Sequence, residues 1–141
     1  MLEIKLLGPA DSEILNTVAE DVFDDPIVAS SAQEFLNDSR HRLVVALEDN
    51  VVVGFVSAVV YLHPDKPAPE LWINEIGVAP TYQRQGIGKL LLQHLLDEAK
   101  QSGCTEAWVL TDRENPPAMG MYKSAGGVEN SPDPTMFTFK L

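Results

Sequence analysis

This chain of 141 residues is poor in cysteine, with one, in histidine, with three, and in Lys and Arg, with ten together, and it has no long apolar run. A single thiol, Cys104, cannot close an internal disulfide, which fits a reducing compartment. Its place at the head of an apolar run reads as small packing rather than as a nucleophile. No stretch reaches the roughly 18 apolar residues of a membrane span. Met1-Leu2-Glu3-Ile4-Lys5 lacks the basic start and apolar core of a secretory leader, so no membrane partner is expected and the default location is cytoplasmic. Ten Lys and Arg against 21 Asp and Glu give a net charge of −11 and a pI of about 4.5. So few basic side chains leave no face for nucleic acid or for an anionic membrane. Gly-x-Gly-x-x-Gly and Gly-x4-Gly-Lys-Ser/Thr are both absent, which sets aside a dinucleotide fold and a nucleotide triphosphatase. No metal site is expected.

What is present suffices for one domain over residues 1–141, since 45% of the residues are hydrophobic and the mass is 15.5 kDa. Residues 2–7 read as a strand. Asp11 or Ser12 should cap a helix carrying Ile14, Leu15, Val18 and Val22 until Asp24-Asp25-Pro26 stops it, with a second short helix over 31–38. Residues 42–47 and 51–61 read as a β-hairpin closed by Glu48-Asp49-Asn50, and the three prolines of 63–69 make a loop. Residues 71–78 form the next strand. A Leu-rich helix follows, with Ile87, Leu90, Leu91, Leu95 and Ala99 on one face, ending at Gly103. Residues 106–111 are a strand, Asn115 caps a helix begun by Pro116, and 135–140 should be an edge strand. A helix joining 71–78 to 106–111 favours a parallel pair, so the fold class is α/β with a mixed sheet.

At the handover from strand 71–78 to the long helix lies Gln83-Arg84-Gln85-Gly86-Ile87-Gly88-Lys89. Glycines at a helix start let the backbone approach a ligand, and the first-turn N–H groups point outward with the positive end of the helix dipole. Arg84 and Lys89 add positive charge in a chain that has little, so a phosphate-bearing ligand is the natural occupant. Short Gly-x-Gly turns also arise simply to start helices. Glu75 stands in an otherwise apolar strand, where an unpaired carboxylate costs enough that a function or a partner is expected.

The strand Asn74-Glu75-Ile76-Gly77-Val78, the turn 83–88, the Leu-rich helix and the later run Asn115-Pro116-Pro117-Ala118-Met119-Gly120-Met121-Tyr122 follow one another in the order found in the GNAT superfamily, the acyl-CoA-dependent N-acetyltransferases, which this chain resembles. The spacing of Asn115, Ala118 and Tyr122 carries the likeness best. The resemblance implies a three-layer fold with a mixed, mostly antiparallel sheet splayed at a parallel strand pair and flanked by helices. It implies acetyl-CoA as cofactor, its pyrophosphate cradled by Gln83, Arg84, Gln85, Gly86, Ile87 and Gly88 with Lys89 nearby. Ile76, Gly77 and Val78 would pair with the pantetheine arm, with Asn115 and Ala118 beside it. Tyr122 would be the acid for the leaving thiolate, and Glu75 the base or ammonium anchor. Asp112 competes with Glu75, although Asp112-Arg113-Glu114 also reads as a solvated turn.

More narrowly, Val22-Phe23-Asp24-Asp25-Pro26, the strand from Trp72 and the ending Tyr122-Lys123-Ser124-Ala125-Gly126-Gly127 resemble type I aminoglycoside 3-N-acetyltransferases. Gly127 stands where the superfamily usually has an aromatic, and that group often has Asp where Glu75 stands. A polycationic acceptor would give the acidic charge a purpose, with Asp24, Asp25, Glu75 and Asp112 receiving it. Asp24-Asp25-Pro26 also reads as a helix stop, and the acidity as a device for solubility. A polyamine, peptide or protein-lysine acetyltransferase and a non-catalytic acyl-CoA sensor are the alternatives. Because members are often dimers, a homodimer through 135–140 or the proline loop is a further expectation.

Overall fold

The computed structural model describes residues 1–130 and 134–141. Its framework begins at Asp49 and Asn50, whose φ values of 50° and 64° supply the two left-handed residues that a tight hairpin turn needs. The turn joins β2 (His41–Glu48) to β3 (Val51–Tyr61), paired antiparallel from His41 opposite Val59 to Glu48 opposite Val51. β1 (Leu2–Leu6) pairs antiparallel with β2, and β4 (Glu70–Val78) antiparallel with β3. β5 (Glu106–Val109) runs parallel to β4, so the described residues form a mixed five-stranded sheet in sequence order.

Two apolar layers close on this sheet. On one face, Leu91, Leu92, Leu95 and Ala99 of α2 (Ile87–Gln101) bury against Val44, Val53, Val56, Leu71 and Ile73. Leu92, not Leu90, completes that stripe; Leu90 stays 44% exposed because it falls at the flank of the helical face. Tyr122 of α3 (Pro116–Ser124) and Ala125, which follows the helix, pack on the same cluster, as does Cys104. On the other face, a 3-10 helix (Pro9–Asn16) and α1 (Ala29–Asn37) seal Leu7, Leu15, Val22, Leu36, Val45, Val52 and Phe55. The central residues of β3, Val52 to Val56, are therefore buried from both sides. Among the described residues, no helix is long and apolar enough to cross a membrane.

Two expectations give way. The helix expected from Asp11 to Val22 is only the 3-10 turn, capped by Gly8, with Asp11 Oδ2 accepting the Gly8 N–H at 2.8 Å. After Asn16 the chain extends, and Val18 bridges Val52 in parallel, with Val52 N donating to Thr17 O and Ala19 N to Val52 O. The apolar spacing served docking onto β3 rather than helix continuation, since Ile14, Leu15, Val18 and Val22 all reach one cluster. The edge strand expected at 135–140 is not formed. Phe137 and Phe139 alternate with Thr138 and Lys140 as a strand would but remain exposed, as does Met136, because alternation without a backbone partner does not make a ladder.

β4 and β5 part company early. Their pairing ends at Ile73 opposite Val109, while β4 continues to Val78 beside β3 alone. At the same level Asn74 has no partner in β3, a bulge between Ile73 opposite Ala58 and Glu75 opposite Ser57. The result is a wedge-shaped opening at the C-terminal ends of the parallel pair.

Gly77 forms the wall of that opening, and a Cβ there would stand 2.5 Å from Val22 O and 2.8 Å from Phe55 Cε1. Gly77→Ala should therefore destabilise by about 1–3 kcal/mol through overpacking. Gly120, inside α3 with nothing within 4 Å of such an atom, should gain up to about 1 kcal/mol as Gly120→Ala. Urea unfolding of the two variants checks the pair; equal effects would contradict the packing described.

Candidate active site

The opening between β4 and β5 is a cleft of about 440 Å³. One wall is the diverging half of β4, Asn74 to Val78; the other is Leu110 and Thr111 after β5 with Asn115, Ala118 and Tyr122 of α3. Asp21 and Asp24 stand at its rim, on a segment anchored by Phe23, which stacks on Phe55 with ring centroids 4.0 Å apart. Glu75 and Tyr122, far apart in sequence, thus share one hollow. Glu75 is exposed, opposite Ser57. Burial pushes the Tyr122 phenol above its ordinary value, so it keeps its proton.

Asn115 combines two positions. Its Oδ1 accepts the Ala118 N–H at 3.3 Å as the cap of α3, and the residue also lines the cleft. Asp112 is placed differently: its Oδ1 accepts the Glu114 N–H at 2.9 Å and its carbonyl the Asn115 N–H at 3.0 Å. It organises the turn into α3 and does not line the cleft. Asp25 lines an adjoining hollow of about 490 Å³ with Leu15 and Ile27, and Asp21 and Asp24 border both spaces.

The glycine turn sits at the cleft's end. A short 3-10 helix (Pro80–Tyr82) leads to Gln83, whose Nε2 donates to Val78 O at 3.0 Å, and to Gln85, whose Nε2 donates to Thr81 O at 3.4 Å. Arg84 at φ 64° and Gly86 at φ 80° turn the chain into α2, whose first bond runs from Leu90 N to Gly86 O at 3.1 Å. The N–H groups ahead of Leu90 have no partner within the helix. Nothing lies within 4 Å of where a Gly86 Cβ would be, so the cradle is open on that side. The Ile87 side chain is core, leaving its backbone alone to face outward, while at Gly88 a Cβ would meet Met121 Sδ at 2.8 Å. Exposed Arg84 and half-buried Lys89 flank the turn.

Sequence reasoning missed Asp21, Phe55, Leu110 and Thr111. Asp21 follows Glu20 in the acidic stretch before Val22, but only its φ of 59° turns it toward the cleft. Asn74 was visible as a polar break in an apolar strand; its unpaired place in the bulge was not.

An open mixed sheet, parted at its parallel pair beside an anion-ready helix start, defines the class of fold as GNAT-type. Residues 12–126 match the Acetyltransferase (GNAT) family, and the chain belongs to that family. It is similar to the [Ribosomal protein bS18]-alanine N-acetyltransferase of Escherichia coli K12, 40% identical over 57 residues, which are 40% of this chain and 38% of that protein. It is 30% identical over 118 residues to the streptothricin acetyltransferase of Streptomyces lavendulae, covering 84% of this chain and 59% of the other. The chain thus spans well under two thirds of the length of both curated relatives. Among solved structures, an aminoglycoside acetyltransferase, meta-AAC0020, from an uncultured soil metagenomic sample superposes with a TM-score of 0.83 at 25% identity, covering 99% of this chain and 97% of that one.

GNAT acetyltransferases use acetyl-CoA. The residues here fit it: among the described residues, an open glycine turn whose first-turn N–H groups have no partner within the helix suits the phosphates, and beyond Ile73 no strand lies on the β5 side of β4, which leaves its backbone to an amide-bearing arm. Gly86→Val forces a β-branched residue to a positive φ. It should weaken CoA binding roughly tenfold in calorimetric titration, and unchanged affinity would remove the turn from the binding site.

Proposed function

We propose that this chain transfers the acetyl group of acetyl-CoA to a primary amine of an aminoglycoside, at the 3-N position that the sequence resemblance carries, by direct attack with both substrates bound. The observation that carries the reading is that Glu75 and Tyr122 line one cleft at the parting of β4 and β5, with Asp21 and Asp24 at its rim. The similarity to meta-AAC0020 and to the streptothricin acetyltransferase supports an amine-bearing small molecule as acceptor.

Acetyl-CoA, when bound, supplies an acetyl group activated as a thioester. The first-turn N–H groups of α2, with Arg84 and Lys89, hold its phosphates, and the free backbone edge of Ile76 to Val78 aligns its arm. Glu75 receives the acceptor's ammonium group and takes its proton on a carboxylate oxygen. Asp21 and Asp24 hold further ammonium groups at the rim, and Asp25 receives one that extends into the adjoining hollow. Tyr122 keeps a proton on Oη, releases it to the leaving sulfur and regains one from the acceptor nitrogen, which gives up its second proton as the amide forms. Asp112 serves the site by fixing the turn that presents Asn115 and Tyr122. Holding amine and thioester together contributes a large share of the acceleration, up to about 7–11 kcal/mol in well-oriented cases.

A second reading has its own observation: over 57 residues the chain is 40% identical to an enzyme named for a protein's alanine amino group. A peptide amine is then the acceptor at the same cleft. A sensor that binds acyl-CoA without turnover would leave Tyr122 and Glu75 without work.

CoA release by the purified protein against kanamycin, gentamicin, spermidine, a lysine peptide and an alanine-ended peptide separates these readings. Release confined to the aminoglycosides, with a 3-N product, is expected; release only with the alanine-ended peptide would overturn the acceptor class. Tyr122→Phe should lower kcat about 100-fold or more with little change in the KM of acetyl-CoA, and Glu75→Gln should lower kcat and raise the KM of the amine. The Tyr122 pKa is raised, so its acid form is fully present below the ordinary value of about 10 and is lost only above it. The pH profile of kcat should therefore show no decline from Tyr122 up to about pH 9.5, and an earlier fall that disappears in Tyr122→Phe would refute the assignment.

A further inference from the structure

Beyond Glu75 the same sheet face carries an aromatic surface that the transfer chemistry does not use. Residues paired across strands share a face, and Val56, Ala58, Leu71 and Ile73 belong to the layer under α2. The opposite face therefore receives Tyr61 beside Glu70, Val59 beside Trp72, and Ser57 beside Glu75. β5 adds Trp108 next to Trp72 and Glu106 next to Glu70. Trp72 and Glu75 are three positions apart and would point oppositely in a regular strand. The extra residue Asn74 in the bulge turns Glu75 back to the side of Trp72.

On β3 the cover from the 3-10 helix and α1 reaches only as far as Phe55; Tyr61, Trp72 and Trp108 belong to neither buried cluster, and Trp108 is 44% exposed. The aromatic rings are nonetheless held in place. Trp72 and Trp108 meet edge to face with centroids 4.2 Å apart, and Tyr61 stands edge-on to Trp108 at 6.3 Å. The indole N–H of Trp108 donates to the Tyr61 hydroxyl, which donates to Glu70 Oε2 at 3.3 Å, and His63 pairs with the same carboxylate oxygen. Such a chain fixes an indole whose ring still faces outward. β3, β4 and β5 contribute no Lys or Arg; Lys66, from the proline loop, acts on Glu70, and Glu106 and Glu75 stay exposed. Fixed aromatic faces among carboxylates complement a cation.

We propose that Trp72 and Trp108 form a distal acceptor subsite, which takes a second, non-reacting ammonium group or cationic ring of the acceptor by cation–π contact beside Glu106. Trp72 and Glu75 stand opposite Val59 and Ser57, two residues apart on β3, so this group lies about 7 Å along the sheet from the reacting amine. The acceptors selected are extended polycations, the class to which aminoglycosides and polyamines belong; short monoamines reach Glu75 but not the platform. The inference rests on the proposed function for placing the reacting amine at Glu75.

Both tryptophans of the chain lie in the platform, so intrinsic fluorescence reads it directly and independently of turnover. The full chain without acetyl-CoA is titrated with kanamycin, spermidine and, as a monoamine, butylamine. A saturable change in emission with the polycations, absent with butylamine, is expected. Trp108→Leu should raise the Kd of kanamycin roughly 2- to 30-fold, and its KM likewise, with kcat and the KM of acetyl-CoA unmoved; Trp108→Phe should recover part of the loss. If the wild type acetylates kanamycin while emission and Kd ignore both ligand and substitution, the subsite is refuted and the transfer reading stands. Saturable, Trp108-dependent emission with no CoA release from any amine would keep the platform and refute the transfer. Emission that follows protein concentration rather than kanamycin would assign the face to a second copy of the chain and overturn the proposal.

Discussion

The separation of β4 from β5 after Ile73 and Val109 is the constraint on which the rest of the molecule depends. A parallel pair that ran its full length would satisfy the backbone of Asn74 to Val78 and leave no cleft. Here β5 stops after four residues, while β4 is held on its other side by β3 as far as Val78. The unsatisfied edge, the hollow beside it and the end of the strand that feeds the glycine turn all arise from that one mismatch in length. The bulge at Asn74 adds a change of facing, so that a carboxylate rather than an apolar side chain meets the cleft.

Holding such a wedge open requires stiffness elsewhere. The two buried layers supply it, because the centre of β3, Val52 to Val56, is covered on both faces and cannot bend toward either without losing close-packed contacts. The approach of Val22 O and Phe55 to Gly77 packs the acidic segment 21–25 against the diverging strand, so cleft rim and cleft wall are in direct contact. From the other side, Met121 abuts Gly88, which couples α3 to the start of α2 and places Tyr122 relative to the glycine turn.

Charge is distributed to match. The sparse basic residues include Arg84 and Lys89 at the helix start, where the dipole already favours an anion. The carboxylates Asp21, Asp24 and Glu75 gather around the cleft, and Glu70 and Glu106 around the aromatic face. Basic groups thus flank the helix start while carboxylates surround the cleft and the aromatic face, in a chain of net charge −11.

The alternation and periodicity of the sequence determined the elements. The hairpin with its polar turn, the strand before the glycines, α2 and the Asn115-capped helix all follow from local propensity, which needs no partner to be legible. The spacing of Asn115, Ala118 and Tyr122 and the glycine turn carried the resemblance to the family that residues 12–126 match. Local pattern misled where tertiary contacts outbid it: Val18 preferred a bridge to Val52 over another helical turn, and residues 137–140 alternate but join no strand among the described residues. Only the fold decided that Asp21 turns into the cleft while Asp112 holds a backbone turn, and that Trp72 and Glu75 share a face. Those outcomes depend on a positive φ, a capped turn and one extra residue in a register, which are fixed by pairing between distant segments and leave no trace in residue order.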